Sequence, residues 1–86
     1  MSEMTSKVKV LFFASLKAKV GVNQVEINWT ENARVAELRA QLAKQFPDAS
    51  QVLQTCPVAV NRSFAFDQDP IPLGAEVAFF PRVSGG

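Results

Sequence analysis

The chain of 86 residues has room for one domain, and nine Lys and Arg side chains nearly balance eight Asp and Glu side chains, for a net charge of +1. This balance leaves no basic field for nucleic acid. The absence of histidine excludes Ser/His and Cys/His nucleophilic pairs and the usual zinc sites. A lone cysteine, Cys56, and apolar runs too short to span a membrane favour a cytoplasmic protein. We expect no bound metal or cofactor and no nucleic-acid or membrane partner.

Two runs of β-forming residues open the chain and predict a hairpin. Residues 7–14 and residues 24–29 each place alternate apolar side chains on one face of a strand. Between them, Gly21 and Asn23 supply turn residues, and residues 15–23 are predicted to form the connecting loop. The predicted apolar face consists of Val8, Val10 and Phe12 on the first strand and Val25, Ile27 and Trp29 on the second.

A change of period after the hairpin predicts an amphipathic helix over residues 34–46. Pro47 is expected to end this helix, because the residue before a proline is disfavoured in the helical conformation. The start is less defined. Asn32 is one candidate cap, whereas the capping-box position three residues before Glu37 holds Arg34. The apolar stripe consists of Val35, Leu38, Leu42 and Phe46.

The second half of the chain predicts short strands joined by irregular connections. Residues 57–61 are predicted as a strand, residues 64–66 as another strand or its loop, and residues 76–81 as the last strand. Residues 48–56 are interpreted as a loop with one helical turn, and residues 67–75 as an irregular connection. One helix across a mixed sheet is the simplest α+β arrangement that buries both apolar surfaces. The first and last strands, the most apolar, are expected side by side at its centre.

The C-terminal residues Ser84, Gly85 and Gly86 follow the last strand after a short spacer. An end without function and a remnant of cloning are two open interpretations. Because Gly has no Cβ, however, an extended diglycine can thread a narrow channel on another protein and deliver its carboxylate to a distant active site. A partner enzyme must first convert that carboxylate with ATP to an acyl-adenylate, from which a sulfur donor makes a thiocarboxylate or a lysine makes an amide. The diglycine is therefore predicted to be the reactive part of the protein.

Phe79 and Phe80 precede Pro81 at the end of the predicted last strand. Adjacent residues on a strand face opposite sides of a sheet, so one ring is expected in the core and the other outside or under a partner. The alternative, a loop covering the outer face, would put both rings in the core. Pro81 limits further strand pairing and marks the end of the sheet. The expected segments are a disordered leader (1–6), the folded domain (7–81) and a flexible tail (82–86).

Other reactive or charged side chains are given structural roles. Cys56 has no Lys or Arg neighbour in the sequence to lower its thiol pKa, and it is interpreted as a small buried apolar residue. Asp67 and Asp69 are interpreted as turn formers rather than as an acid/base pair or a metal site. The basic side chains expected to be solvated are Lys7, Lys9, Lys17, Lys19 and Arg62.

Four segments of the chain resemble the small, sulfur-carrier subunit of molybdopterin synthase, within the ubiquitin-like β-grasp superfamily. They are KVLFFA at 9–14, VAELR at 35–39, VAVN at 58–61 and EVAFFPRVSGG at 76–86. The Phe-Phe-Pro and diglycine ending is the specific part, and the rest is common to the superfamily. The departures from the family pattern are Arg82 in place of a second proline, Leu73 and Ala75 in place of acidic residues, and Arg34 in place of a helix cap.

This resemblance implies a β-grasp fold, with a mixed β-sheet packed on one main helix, and a thiocarboxylate on Gly86, which follows Gly85. An adenylating enzyme related to ubiquitin-activating enzymes would use ATP to install the sulfur. The tail would then enter the large synthase subunit, which holds the catalytic side chains, and form the dithiolene of molybdopterin from a cyclic pterin monophosphate. The family assembles as a heterotetramer, so the chain is not expected to be an enzyme by itself. The implied partner-binding residues are Phe79, Phe80, Pro81, Arg82, Val83 and Ser84.

Other functions stay open beside the sulfur carrier of molybdopterin synthase. A ubiquitin-like protein modifier and a carrier for thiamine thiazole formation need the same diglycine and the same adenylation step. A structural interaction domain with an inert tail needs neither. The lead-in of Phe79, Phe80 and Pro81 favours the molybdopterin synthase carrier.

Overall fold

The computed structural model describes residues 6–81, and within them a five-stranded mixed sheet packs against helices. The strands are β1 (Lys7–Phe12), β2 (Gln24–Asn28), β3 (Val58–Val60), β4 (Ser63–Ala65) and β5 (Glu76–Phe79). The helices are α1 (Ala14–Val20), α2 (Val35–Gln45) and α3 (Ser50–Thr55), with a 3-10 turn at Pro47–Ala49. Across the sheet the strand order is β2-β1-β5-β3-β4.

The centre of the sheet is formed by β1 and β5, which run parallel and side by side. This arrangement confirms the predicted pairing of the first and last strands. Val10 lies in register with Val77, and Phe12 with Phe79, and all four side chains are buried. β2 pairs antiparallel with β1, so the predicted opening hairpin is also confirmed.

The predicted loop over residues 15–23 is wrong, because α1 occupies most of it. Leu16 of α1 is completely buried, and Val20, about one turn later, packs against the core. Gly21 ends the helix in the left-handed conformation, with φ of 92°, and its N–H donates to the Lys17 carbonyl at 2.9 Å. The apolar pair at four-residue spacing and the glycine that follows it are a helix signal that the turn interpretation overlooked.

The amphipathic helix is confirmed as α2, within one residue of each predicted end. Arg34 occupies the N-cap position, and its backbone N–H donates to Glu37 Oε1 at 3.1 Å. Asn32, the other candidate, is therefore not the cap. Pro47 follows the end of the helix as predicted and begins the 3-10 turn.

Residues 48–56 are more helical than the predicted loop with one turn, since α3 takes six of them. Leu53 of α3 is completely buried, and burial of such a side chain contributes about 1.5–3 kcal/mol to the stability of a fold. Tertiary packing of Leu53 thus explains why this short segment is helical. The connection over residues 67–75 is irregular as predicted, and in it the Ile71 carbonyl accepts the Trp29 Nε1–H at 2.9 Å.

The core lies on one side of the sheet, where the described helices pack. Residues of β1 and β5 that point to the opposite side are exposed or partly buried, and we call that side the open face. No helix within residues 6–81 has the length and apolar character to cross a membrane. The largest completely buried side chains are Phe12, Phe79, Leu16, Leu38, Leu42, Leu53 and Ile71.

Candidate functional site

Phe79 and Phe80 point to opposite faces of the sheet, as the sequence predicts. Phe79 has no exposed surface, and its ring centroid lies 6.4 Å from that of Phe12 in the core. Phe80 is only partly buried, so the alternative with both rings in the core is wrong. The Phe13 N–H donates to the Phe79 carbonyl at 3.2 Å. The Phe80 N–H donates to the Pro57 carbonyl at 3.2 Å, so both neighbouring segments hold this end of β5.

Phe80 belongs to a group of exposed or partly exposed rings that we call the aromatic patch and define as Phe13, Phe64 and Phe80. Phe64 is 74% exposed and Phe13 is 46% exposed. The ring centroids of Phe64 and Phe80 are 5.6 Å apart, with their planes at 57°. Phe13 is extended and follows the buried Phe12, so its side chain emerges on the open face. Clustered apolar side chains of this kind mark surfaces that bind other proteins.

The open face changes from charged to apolar along the strands. At one end, Lys9 lies in register with Glu26 on β2 and Glu76 on β5. Two residues further along β1, Leu11 lies in register with Ala78. The aromatic patch follows at the end where β1 and β5 both finish. The apolar end of the open face is therefore the end at which the chain leaves the sheet.

Pro81 is the last residue that the structure describes, and it directly follows Phe80 of the aromatic patch. Pro81 is partly buried and lines a surface groove together with Phe64. Pro81 thus leads from the patch into the tail, whose assignment as the reactive segment stays a prediction. The predicted site residues outside the described part of the chain are Arg82, Val83, Ser84, Gly85 and Gly86.

Cys56 is buried and unpaired, which agrees with its interpretation as a small apolar residue. No Lys or Arg adjoins Cys56 in the sequence, but in the folded chain the Arg39 guanidinium acts on the thiol in the direction that lowers its pKa. Burial raises the pKa of the Cys56 thiol, and Arg39 offsets this effect only in part. The thiol is therefore protonated at neutral pH, which disfavours it as a nucleophile or a sulfur acceptor.

Asp67 and Asp69 do form a turn, as predicted. The Phe66 N–H donates to Asp69 Oδ2 at 2.8 Å, and the Asp69 N–H donates to the Phe66 carbonyl at 2.9 Å. Asp67 has a further role, because its Oδ1 accepts the Arg39 Nε–H at 2.8 Å. The predicted solvated side chains, all of them exposed, are Lys7, Lys9, Lys17, Lys19 and Arg62.

Sequence reasoning did not single out the exposed Phe13 and Phe64, or Arg39, which contacts Asp67. Alternation along the first strand is a signal for Phe13, since it places that ring on the face opposite Phe12. Phe64 needs the strand register, in which it lies opposite Ala59 of β3. Arg39 had no sequence signal, because its contacts come from segments distant in the chain.

The strand order and the main helix across one face define the ubiquitin-like β-grasp fold, so the predicted fold class is confirmed. The chain belongs to the ThiS family, whose family model matches residues 10–86. The match extends to the last residue and thus includes the terminal diglycine.

Individual relatives cover nearly the whole chain. The molybdopterin synthase sulfur carrier subunit of Chlamydomonas reinhardtii is 35% identical over 82 residues, which are 93% of this chain and 99% of that protein. SAMP1 from Haloferax volcanii has a TM-score of 0.82 and 26% identity, covering 93% of this chain and 99% of its own. A Helicobacter pylori chain shares the fold, with a TM-score of 0.64, 23% identity and coverage of 93% and 99%. That chain was solved in a complex of subunits 1 and 2 of Molybdopterin-converting factor.

Proposed function

We propose that this chain is the sulfur carrier subunit of a molybdopterin synthase and that it carries sulfur as a thiocarboxylate on Gly86. The main observation that supports this proposal is that the aromatic patch lies beside Pro81, where the folded domain leads into the diglycine tail. A partner bound to the patch takes up the start of the tail at the same time. In this proposal the folded domain binds the partner, and the tail supplies the reacting group. Similarity to the carrier subunit of C. reinhardtii along 99% of that protein supports the same conclusion.

The proposed chemistry begins at the Gly86 carboxylate, which an activating enzyme converts with ATP to an acyl-adenylate, releasing pyrophosphate. A sulfur donor then displaces AMP and leaves sulfur in place of one carboxylate oxygen. The anionic, nucleophilic sulfur is transferred to the cyclic pterin monophosphate, and hydrolysis returns the carboxylate. Because a dithiolene holds two sulfur atoms and each tail delivers one, every product molecule requires two chains that carry a thiocarboxylate. Gly85 lacks a Cβ and so keeps the extended chain narrow.

The catalytic side chains of this reaction are assigned to the large subunit. The chain has no histidine, and its single thiol is buried and protonated, so it offers neither a Ser/His nor a Cys/His nucleophilic pair. The family's heterotetramer, in which two carriers flank a dimer of large subunits, is the proposed assembly, and the cytoplasm is its proposed location.

Partner contacts are proposed to divide between the patch and the tail. Phe80 and Pro81 contact the large subunit together with Phe13 and Phe64, because these side chains are exposed or partly exposed at one end of the sheet. Phe79 is fully buried, so it supports the surface from the core rather than contacting the partner. The remaining predicted contacts, Arg82, Val83 and Ser84, are proposed to line the partner's channel.

A ubiquitin-like modifier is the second candidate, favoured by the likeness to SAMP1, a small archaeal modifier protein. In that function Gly86 would form an amide with a lysine of a target protein after the same adenylation step. A carrier for thiamine thiazole formation would share the thiocarboxylate. The candidates therefore differ in what receives the activated Gly86, not in how it is activated.

Affinity purification from the native host, followed by reconstitution, separates these candidates. We expect a stoichiometric, non-covalent complex with one larger protein and, on denaturing gels, the 86-residue chain still free. The purified pair, supplied with the thiocarboxylated chain and the pterin precursor, is expected to form a dithiolene without ATP. A ladder of Gly86 conjugates, with no dithiolene from the pair, would establish the modifier instead.

A further inference from the structure

Arg39 on α2 joins three other segments of the fold through its guanidinium group. Its Nε–H donates to Asp67 Oδ1 at 2.8 Å in the β4–β5 connection, and its Nη1 donates to the Leu53 carbonyl of α3 at 2.9 Å. The guanidinium carbon also lies 5.8 Å from the ring centroid of Phe79 on β5. The Arg39 side chain is only 12% exposed, whereas its partner Asp67 is 58% exposed.

The contact with Phe79 connects this cluster to the exit of the tail. Phe79 is two residues before Pro81, and a cation over an aromatic ring gains strength when it is shielded from solvent. Two backbone hydrogen bonds also hold this end of β5: the Phe13 N–H donates to the Phe79 carbonyl and the Phe80 N–H to the Pro57 carbonyl, each at 3.2 Å. At the opposite end of the same strand pair, the Lys9 N–H donates to the Ala75 carbonyl at 3.0 Å.

We infer that Arg39 is a positioning residue, which fixes the end of β5 and thereby the point from which the tail leaves the domain. Its relevance to sulfur transfer rests on the function proposed above. Five residues, 82–86, separate Pro81 from the reacting carboxyl, and they span at most about 17 Å when extended. If the partner's channel holds the tail extended, as the proposed function implies, a shift of its origin displaces the carboxyl. A displacement of roughly 1 Å can lower a reaction rate about 100-fold.

Amide hydrogen exchange tests the positioning role on the isolated chain. In Arg39→Met, the amides of Phe13 and Phe80 are expected to exchange about tenfold faster than in the wild type, while the Lys9 amide changes much less. Arg39→Lys keeps a cation near Phe79 but loses the planar guanidinium group, so its exchange rates at Phe13 and Phe80 are expected to lie between those of the wild type and Arg39→Met. Lys44→Met, which removes an exposed charge from the same helix, is the matched control, and its amide exchange rates should equal those of the wild type.

The pattern of exchange decides between positioning and general stabilisation. Equal acceleration at Phe13, Phe80 and Lys9 would mean that Arg39 only stabilises the whole fold, and the inference would be overturned. If Arg39→Met does not fold, exchange at Phe13 and Phe80 is compared with exchange at Lys9 in Arg39→Lys instead. Asp67→Asn, which removes the negative charge that pairs with Arg39, should also speed exchange at the amides of Phe13 and Phe80. If neither Arg39→Met nor Asp67→Asn changes the exchange rates of these two amides, the inference is overturned.

Sulfur-transfer kinetics with the large subunit test the consequence for function. Thiocarboxylated Arg39→Met is expected to lower kcat about tenfold or more and to change KM less than about threefold, since the variant keeps every side chain of the aromatic patch. A raised KM with unchanged kcat would show that Arg39 acts on docking and not on the tail. If the wild-type chain itself yields no dithiolene, the proposed function fails, while the exchange pattern still decides the role of Arg39.

Discussion

The two ends of the open face are built from the same strands, yet they offer a partner different chemistry. At one end Lys9 lies in register with Glu26 and Glu76, whereas the other end presents the rings of Phe13 and Phe80. Exposed charge pairs contribute about 0–1 kcal/mol, whereas full burial of one phenylalanine contributes about 1.5–3 kcal/mol. Exposed apolar surface is therefore concentrated at the end where β5 finishes, and we expect that end to contribute most to the binding of a partner.

Removing the tail's last residue is expected to have the largest effect. Deletion of Gly86 should abolish sulfur transfer, because the reacting carboxyl moves back by one residue in a channel of fixed length. The thermal unfolding curve should stay nearly unchanged, since the described core ends at Phe79. Binding to the large subunit should persist through the aromatic patch. A shortened chain that still restores cofactor synthesis would show that Gly86 is not the residue that delivers sulfur.

The two adjacent phenylalanines offer the sharpest contrast in stability. Phe79→Ala is expected to reduce the free energy of unfolding by about 3–5 kcal/mol, because it empties a completely buried site next to Phe12. Phe80→Ala should cost much less, since its ring is partly exposed and packs mainly on Phe64. Urea denaturation of both variants measures the difference. Equal losses would place both rings in the core and the partner surface elsewhere.

A charge in the aromatic patch should weaken association more than a change at the charged end. Phe80→Asp is expected to raise the free energy of binding to the large subunit by about 2 kcal/mol or more, as for an aromatic anchor at an interface. The control Lys9→Ala, at the other end of the open face, should change it by less than about 0.5 kcal/mol. Titration calorimetry gives both values. Similar losses for the two variants would remove the distinction between the two ends.

The smallest effects are expected at Cys56, whose thiol is buried. Cys56→Ser should retain sulfur transfer and lose about 1 kcal/mol of stability. Burial raises the pKa of this thiol, so its protonated form is favoured on folding, and that stabilisation is present below the ordinary thiol pKa and lost as pH rises. The stability advantage of the wild type over Cys56→Ser should therefore shrink above about pH 8.5. Loss of transfer by a folded Cys56→Ser would indicate a persulfide route through the thiol.

Much of the fold follows from local pattern, because alternation and helical period depend on neighbouring residues. The strands around Val10 and Val77 and the helix containing Leu38 were predictable for this reason. α1 was not, since seven residues make a weak helical signal and the burial of Leu16 stabilises them only in the folded chain. Turn residues near Gly21 were interpreted as a loop, although that glycine ends a helix.

The residues of the candidate site could likewise be predicted only as far as local sequence pattern determines them. Alternation required Phe79 and Phe80 to diverge, but the register of β5 on β1 and β3 decides which ring is buried. Phe64 joins Phe80 only through the pairing of β3 with β4. Arg39 meets Asp67 across 28 residues of sequence, a separation that no local pattern reports.

The central claim, that Gly86 is the sulfur-bearing residue, is tested most directly by the intact mass of the chain purified from its native host. We expect a fraction heavier than the sequence mass by the difference between one sulfur and one oxygen atom. Fragmentation should place that increment on Gly86, and treatment that hydrolyses thiocarboxylates should remove it. The Gly86 deletion variant, purified from the same host, should show no increment. An unmodified carboxyl terminus in an actively cofactor-producing host, or an increment located on Cys56, would contradict the account.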